Sequence, residues 1–224
     1  MTIDLFSAFI IGILGSGHCL GMCGGITTML TSALAPKRSS QHYILSLMYH
    51  IGRIFSYSLI GAIVGFSGSI AAKNIGLPLA GMRFIAALFL ILLGLYLGQW
   101  LMILSKIEAI GKKLWQVISP LSKKLIPVDS PKKALGLGLL WGWLPCGLVY
   151  STLTWSMASG SWVQGALIMA FFGLGTLPAL LSVSLGIISL KKLFSHPKFR
   201  QILAIAVIIY GIYSLVIATK LLFL

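Results

Sequence analysis

The feature that most constrains this chain is a series of six apolar segments, each long enough to cross a lipid bilayer as a helix. A spanning helix needs about 20 mostly apolar residues. Hydrophobic residues make up 58% of the 224 residues and charged residues only 9%, whereas a soluble domain carries about 25% charged residues. The pattern predicts an all-α integral membrane protein with transmembrane helices at 5–34, 43–70, 80–104, 134–157, 161–189 and 198–222.

The positive charges indicate which side of the membrane each link faces. The chain holds 17 Lys and Arg residues against 3 Asp and Glu, and most of the basic residues lie in the first, third and fifth links. The positive-inside rule accounts for this distribution without a nucleic-acid partner. It predicts that these links face the cytoplasm and that both termini face out, toward the periplasm or the exterior. The first residues lack the basic region of a signal peptide, so none is expected.

The long link between the third and fourth segments divides the chain into two similar halves. Each half holds three spans, so the second half must enter the membrane from the opposite side. The sequence therefore predicts a single transmembrane domain, 1–224, built from two inverted repeats, as in many transporters with a site at the membrane midplane. The first repeat is 5–104, the basic cytoplasmic link is 105–133, and the second repeat is 134–222.

A glycine-rich motif interrupts the first apolar segment. It reads Gly-Ser-Gly-His-Cys-Leu-Gly-Met-Cys-Gly-Gly at residues 15–25. Glycine weakens a helix and lets another backbone approach closely, so Gly21 and Gly24 are expected to break this one. Broken helix within a membrane is tolerated only where protein or water covers it, which indicates a site.

The same motif carries four soft or titratable side chains. Cys19 and Cys23 are spaced one helical turn apart, as are His18 and Met22. Two chemistries are open to this set. The thiols can exchange with a disulfide by thiolate attack, or all four side chains can serve as soft ligands for Cu(I).

The third cysteine lies in a second interrupted segment, Trp-Gly-Trp-Leu-Pro-Cys-Gly at 141–147. Pro145 removes a backbone donor, and Gly147 follows the thiol, so both are expected to break the helix. The repeat places Cys146 at the same depth as the first motif. Two of three cysteines in one motif favour reactive thiols or metal ligands over a structural disulfide framework.

Three polar residues lie on one face of the second segment. His50, Arg53 and Tyr57 follow the i,i+3 and i,i+4 spacing of a helix face. An intramembrane arginine is a functional candidate, but Arg53 can also snorkel to the cytoplasmic interface, and the sequence leaves both open. In the fifth segment Pro178 is expected to break the helix, as a packing kink or as a hinge.

Four motifs together resemble one protein family. They are Gly17-His18-Cys19-x-Gly21-Met22-Cys23-Gly24, Gly52-Arg53-x-x-Ser56-Tyr57, Trp141-Gly-x-Leu-Pro145-Cys146-Gly147-Leu-Val-Tyr150 and Phe172-Gly-x-Gly175-Thr-x-Pro178. The chain resembles the bacterial inner-membrane family of TauE/SafE-like sulfite exporters or UreH-like transmembrane domains, which is related to CcdA and to the membrane domain of DsbD. The resemblance covers nearly the whole chain. It implies a six-helix, pseudo-symmetric domain with one redox cysteine in each half.

The leading hypothesis is a relay of the thiol-disulfide oxidoreductase type. A cytoplasmic thioredoxin-like donor would reduce a Cys23–Cys146 disulfide, and the domain would then reduce a periplasmic thiol acceptor. Cys23 and Cys146 are both followed by glycine and hold equivalent places in the predicted repeat. Cys19 lies one turn nearer the exterior, where it would resolve a bond to Cys23 or pass electrons outward.

Two other functions are compatible with the sequence. Family members with the His-Cys-x-Gly-Met-Cys motif are associated with copper handling and cytochrome oxidase assembly. A Cu(I) transporter would bind the metal through His18, Cys19, Met22 and Cys23 and exchange it with a metallochaperone. An exporter of sulfite or a small organosulfur anion, which rests on the family label alone, would use Arg53 as its intramembrane cation. Cu(I) is the one cofactor that the motifs suggest.

Overall fold

A computed structural model describes residues 5–16, 39–74, 79–101, 116, 119–122, 125–143, 147–184 and 197–223. The regular elements within these ranges are helices, so the all-helical prediction is confirmed for the described part of the chain. The longer ones are α1 Leu5–Ser16, α2 Ser39–Asn74, α3 Leu79–Leu97, α4 Pro131–Trp141, α5 Gly147–Ala158, α6 Trp162–Ser184 and α7 Pro197–Phe223.

The observed helices agree with the predicted spans in some places and differ in others. By length and apolar composition, 43–71 of α2 and 162–182 of α6 qualify as membrane spans. The third predicted span is too long, because α3 ends at Leu97 rather than near 104. Gly98 follows, and Gln99 has a φ of 62°, a left-handed conformation that a right-handed helix cannot continue through. The six-span count stays a prediction.

The fourth predicted span is two helices. Ser130 caps the first of them by accepting a hydrogen bond from the backbone N–H of Lys133, and Pro131 occupies the first turn, where its missing N–H costs nothing. This helix, α4, ends at Trp141 and α5 begins at Gly147. The helix therefore ends inside the second cysteine motif, with Gly142 and Trp143 in a turn. Gly147 begins a helix, and the predicted break at Pro145 lies outside the described residues and stays a prediction.

The predicted break at Pro178 is wrong, because α6 continues through this residue to Ser184. Proline removes one backbone donor, but membrane helices tolerate this loss when neighbouring groups cover the freed carbonyl. Pro178 lies on the exposed side of α6. Gly173 and Gly175, on the packed side, contact α2 and α1, so the ring does not disturb those contacts.

Two groups of three helices account for most of the packing of the described residues. Helix α2 lies along α6 and α4, and α3 lies along α7 and α5. Helix α5 also contacts α2 and α6. The buried core that joins these helices comprises Ile11, Tyr57, Leu90, Leu93, Tyr96, Leu97, Leu148, Val149, Met169, Phe172, Ala204 and Val207.

Apolar side chains also cover the outside of the bundle. Helix α2 exposes a row at helical spacing: Tyr43, Ile44, Leu47, Ile51, Phe55, Leu59, Ile63, Phe66 and Ile70. Helix α7 exposes a second row: Ile202, Ile205, Ile209, Ile212, Tyr213, Val216 and Ile217. Soluble monomers rarely expose contiguous apolar surface on this scale, whereas hydrocarbon chains are its natural solvent. These rows are the lipid-facing surfaces of the protein.

Candidate functional site

The predicted redox and metal-binding residues lie outside the described residues: His18, Cys19, Gly21, Met22, Cys23, Gly24, Pro145 and Cys146. Their pairing, the two breaks in the first motif and the Cu(I) ligand set therefore stay predictions. The described residues include the first two of the first motif, Gly15 and Ser16, and 141–143 and 147 of the second. The contacts of these residues and of their neighbours show which part of the fold both motifs adjoin.

The flanks of the two motifs converge on one region. A Cβ on Gly15, at the end of α1, would collide with the side chain of Leu148, at the start of α5. A Cβ on Gly142, just past α4, would collide with Ser56 and lie 3.2 Å from the carbonyl oxygen of Arg53. Both motifs thus adjoin the helices that pack around the middle of α2.

Arg53 is buried at the centre of this region. Its side chain is 4% exposed, and its Nη2 donates a hydrogen bond to the Oγ1 of Thr176 on α6. The guanidinium carbon lies 5.5 Å from the centre of the Tyr57 ring, within the range of a cation–π interaction. The arginine therefore does not snorkel to the membrane surface, and it belongs to a polar contact between α2 and α6.

His50 lies one turn before Arg53 and is 1% exposed. Its ring packs edge-on against Tyr49, with the centroids 5.2 Å apart. Within the described part of the chain, neither ring nitrogen has a hydrogen-bond partner. A buried polar group without a hydrogen bond is costly, so this imidazole adds to the polar character of the region. The predicted residues His50, Arg53 and Tyr57 are all buried.

Helices α4 and α2 approach to backbone contact beside Arg53. A Cβ on Gly138 would collide with the carbonyl oxygen of Tyr49 and lie 3.1 Å from the amide nitrogen of Arg53. A Cβ on Gly52 would collide with the carbonyl oxygen of Leu135. Only glycine fits at such contacts, because the opposing atoms are backbone and cannot move aside.

Helices α1 and α6 make the same contacts. A Cβ on Gly12 would collide with the carbonyl oxygen of Phe172, and a Cβ on Gly175 would collide with that of Phe9. Position 12 corresponds to 138 and position 9 to 135, both 126 residues apart. Position 49 corresponds to 172 and position 52 to 175, both 123 residues apart. One contact pattern thus occurs twice, at constant shifts.

The same shift relates the two polar partners. Arg53 and Thr176 are separated by 123 residues, which is the shift between α2 and α6. The two residues therefore hold corresponding places on their helices, and they also contact each other.

Helices α3 and α7 repeat this behaviour with apolar residues. A Cβ on Gly94 would collide with the side chain of Ile208 and lie 3.1 Å from its amide nitrogen. A Cβ on Gly211 would lie 2.8 Å from the Cγ1 of Ile91 and 3.1 Å from its amide nitrogen. Positions 94 and 211, and positions 91 and 208, are each 117 residues apart. These helices also meet at corresponding places.

Thr176 was not predicted from the sequence as a functional residue. The sequence nevertheless contains a signal for it, because Gly52-Arg53 and Gly175-Thr176 each consist of a glycine followed by a polar residue. Each step lies in the second predicted span of its half. Their correspondence becomes clear once the glycine contacts fix the shift between the two helices.

Comparison with known proteins gives one family. The family described as cytochrome C biogenesis protein transmembrane region matches residues 7–213, which is most of the chain. No curated protein and no solved structure matches. The expected relationship to CcdA and to the membrane domain of DsbD is supported by this match, and the protein is membrane-integral.

Proposed function

Because the chain belongs to the family of cytochrome c biogenesis transmembrane regions, we propose that it relays reducing equivalents across the membrane by thiol–disulfide exchange. The family match carries this proposal. The matched part of the chain, residues 7–213, includes all three cysteines. The convergence of both motif flanks around α2 supports it further, since a relay needs its thiols in one region.

The proposed architecture is a pair of inverted repeats, α1–α3 and α4–α7. The contacts that recur at shifts of 126, 123 and 117 residues support it. So does the pairing of α2 with α6 and of α3 with α7, because counterpart helices meet at a two-fold axis. Arg53 and Thr176 would lie beside this axis. There the two halves contact each other through a charged side chain from one half and a hydroxyl side chain from the other.

Cys146 supplies the relay thiol of the second half, and two alignments give different partners. The matching Cys-Gly steps assign Cys23. The shift of 126 residues between α1 and α4, continued past their described ends, assigns Cys146 to position 20, next to Cys19. A disulfide requires Cα atoms within about 7 Å. One of these two cysteines forms the relay bond with Cys146, and if that cysteine is Cys23, Cys19 acts on the exterior side of the bond.

The exchange proceeds through mixed disulfides. A thiolate of a thioredoxin-like dithiol donor on the cytoplasmic side attacks the relay disulfide and bonds to one of its sulfurs. The donor's second thiolate then displaces that cysteine, and the donor leaves as a disulfide. The two relay thiols next reduce the disulfide of a periplasmic acceptor by the same two steps. Two electrons and two protons pass from donor to acceptor in each cycle.

Arg53 and Thr176 are proposed to position the two halves for this exchange. Their hydrogen bond joins α2 to α6 beside the segments that lead into both motifs. A side-chain hydrogen bond can break and form again when the halves move. The glycine contacts, by contrast, hold α2 against α4 and α6 against α1 at fixed backbone distances.

The cysteines provide the direct test of the relay. Cells expressing the full chain are treated with acid to trap thiols, and the redox state of the protein and of a periplasmic thiol acceptor is read by alkylation with a mass label. Cys146→Ser should leave the acceptor oxidised and should eliminate mixed disulfides with a single-cysteine thioredoxin. Full activity of Cys146→Ser would overturn the relay.

The same assay separates the two possible pairs. If Cys23 bonds to Cys146, Cys23→Ser removes the internal disulfide and Cys19→Ser retains it. The reverse result identifies Cys19 as the partner. Each variant serves as the matched control for the other, because the two positions share one motif.

The orientation is proposed from the basic links, which should face the cytoplasm of a bacterial inner membrane. A C-terminal fusion to alkaline phosphatase should then be active, because that enzyme matures in the periplasm. A fluorescent cytoplasmic reporter at the same position should be dark. The opposite pair of results would invert the orientation.

The copper and anion-export alternatives gain no support from the family match. A Cu(I) titration of the purified protein distinguishes metal delivery from the relay. Stoichiometric binding that survives Cys146→Ser and is lost in Cys19→Ser would favour metal delivery. Sulfite efflux that is unchanged in Arg53→Gln would exclude this arginine as an anion site.

A further inference from the structure

A pocket of about 340 Å³ lies between α3, α5, α6 and α7. Small-molecule sites typically enclose about 300–1,000 Å³, so the volume suits a single ring-sized ligand. The inner wall is apolar and deeply buried, formed by Ala86, Ala87, Leu90 and Ile168. None of the residues placed around Arg53 above lines the pocket, which is therefore separate from the relay site.

The pocket opens toward lipid. Tyr213 and Ile217 line it and are 60% and 39% exposed. Both belong to the exposed apolar row of α7, the lipid-facing surface of that helix. A ligand would therefore enter sideways from the bilayer rather than from water, and it must be soluble in lipid.

One wall of the pocket is aromatic. The rings of Trp155 and Tyr210 have centroids 5.9 Å apart, and those of Tyr210 and Tyr213 are 6.5 Å apart. An aromatic wall of this kind favours a flat ring as the ligand, because aromatic rings attract one another in stacked or edge-on contact. Trp155 and Tyr210 are only half-buried, and both line the pocket.

The lining also offers polar side chains. The amide of Gln164 and the hydroxyl of Ser214 both line the pocket. Both groups can donate to a carbonyl oxygen. The described lining contains no charged side chain, so these residues offer no cation to a phosphate headgroup.

We propose that this pocket binds the ring of a quinone-class lipid. A quinone combines the features that the pocket selects: a flat neutral ring, carbonyl oxygens as acceptors, and an apolar tail that remains in the bilayer. Trp155 lies eight residues beyond Gly147 along α5, about 12 Å at 1.5 Å per residue. The site is for binding, and it does not depend on the relay.

Photolabelling of the full chain in nanodiscs tests the proposal. The probe is an azido-substituted short-tail ubiquinone, used with and without excess unlabelled quinone, and adducts are mapped by mass spectrometry. Labels should concentrate on 155–164 and 210–217 and should disappear with competitor. Ser214→Leu, which fills the pocket, should reduce this labelling at least fivefold, whereas Ile209→Leu on the lipid face of α7 should not.

Gln164→Leu gives a milder second variant that keeps the side-chain volume. Loss of one hydrogen bond should weaken the competitor's apparent affinity about two- to tenfold. Labels spread over all lipid-facing helices, without competition, would show partitioning into lipid only and overturn the proposal. Competition by an anionic phospholipid as strong as that by unlabelled quinone would identify a headgroup site and would also overturn it.

Discussion

Two helix crossings with glycine contacts at or beside them enclose different chemistry. At the crossing of α3 and α7, Gly94 and Gly211 lie against the side chains of Ile208 and Ile91. Around the crossing of α2 and α6, glycines bring α4 and α1 to backbone distance, and the crossing itself holds Arg53 hydrogen-bonded to Thr176. Close packing is common to both, so the polar pair is what sets the second crossing apart.

Burial alone does not explain the presence of Arg53 at the α2–α6 crossing. A charged side chain within a membrane is costly, and the α3–α7 crossing shows that this fold closes a helix pair without one. Arg53 therefore lies at a kind of crossing that apolar side chains close elsewhere in this protein. Variants at this crossing can separate stability from relay activity.

The largest expected effect comes from backbone contact rather than from charge. In Gly138→Ala the added Cβ meets the carbonyl oxygen of Tyr49, which cannot rotate away. We expect a loss of about 3 kcal/mol or more, seen as a fall of about 6–12 °C in the thermal unfolding midpoint in detergent. Gly136→Ala is the matched control, because its Cβ would lie 3.6 Å from the nearest atom, on Leu125. Equal effects would show that the close approach is not rigid.

The polar crossing is tested by Thr176→Val. This change removes the acceptor of a buried guanidinium hydrogen bond and should cost about 1.5–3 kcal/mol. Thr152→Val is the control, since the hydroxyl of Thr152 bonds only the carbonyl of Leu148 in its own helix. The double variant Arg53→Met/Thr176→Val should recover most of the stability, because buried charges and their partners are often replaced by apolar groups without loss.

The rate of relay activity tests whether the polar pair at the α2–α6 crossing has a function beyond stability. Arg53→Met alone should change stability little but should lower the rate of acceptor reduction, and Arg53→Lys should restore only part of it. If Arg53→Met retained the full rate, the polar crossing would be structural, and the difference between the two crossings would carry no functional meaning.

A smaller effect is expected at the apolar crossing. Gly94→Ala should cost about 1–2 kcal/mol, since its Cβ meets the flexible side chain of Ile208 first. Truncation of that neighbour in Gly94→Ala/Ile208→Ala should recover part of the loss. No recovery would indicate that the carbonyl oxygen of Ala204, 3.0 Å from the added Cβ, limits the approach instead.

The smallest effect is expected outside both crossings. Asp129 and Lys133 form an exposed ion pair of 2.8 Å, and the hydrogen bond from Lys133 lowers the pKa of this carboxyl. Its contribution is therefore present at neutral pH and is lost as the pH falls through the lowered pKa. Exposed pairs add little, so Asp129→Asn should leave the unfolding midpoint at pH 7 unchanged. A clear drop would mean that the link matters as much as the crossings.

The sequence was sufficient for the helical class, which follows from a local property, apolar length. The end of α4 at Trp141 falls four residues before Pro145, the residue that was expected to break the helix. The end of α3 was misplaced because Gln99 adopts a left-handed conformation that its residue type does not announce. Pro178 was misjudged because a proline on the exposed side of a covered helix need not break it.

The candidate site was only partly predictable. Arg53 stood out as a charge within an apolar segment, yet burial rather than snorkelling needed the packing of α6. Its partner Thr176 is 123 residues away, and no local pattern links them. The glycines at 12, 52, 138 and 175 read as ordinary helix breakers or spacers until their contacts show that they form corresponding pairs.

The exposed apolar row of α2 has a consequence for the surrounding bilayer. From Tyr43 to Ile70 it spans 28 residues, about 40 Å along the helix axis, whereas the hydrocarbon layer is about 30 Å thick. A helix perpendicular to the membrane would push part of this row into the headgroups. Hydrophobic mismatch of this kind is relieved by tilt or by local thickening of the bilayer. Membrane thickness therefore acts directly on α2, the helix that carries Arg53.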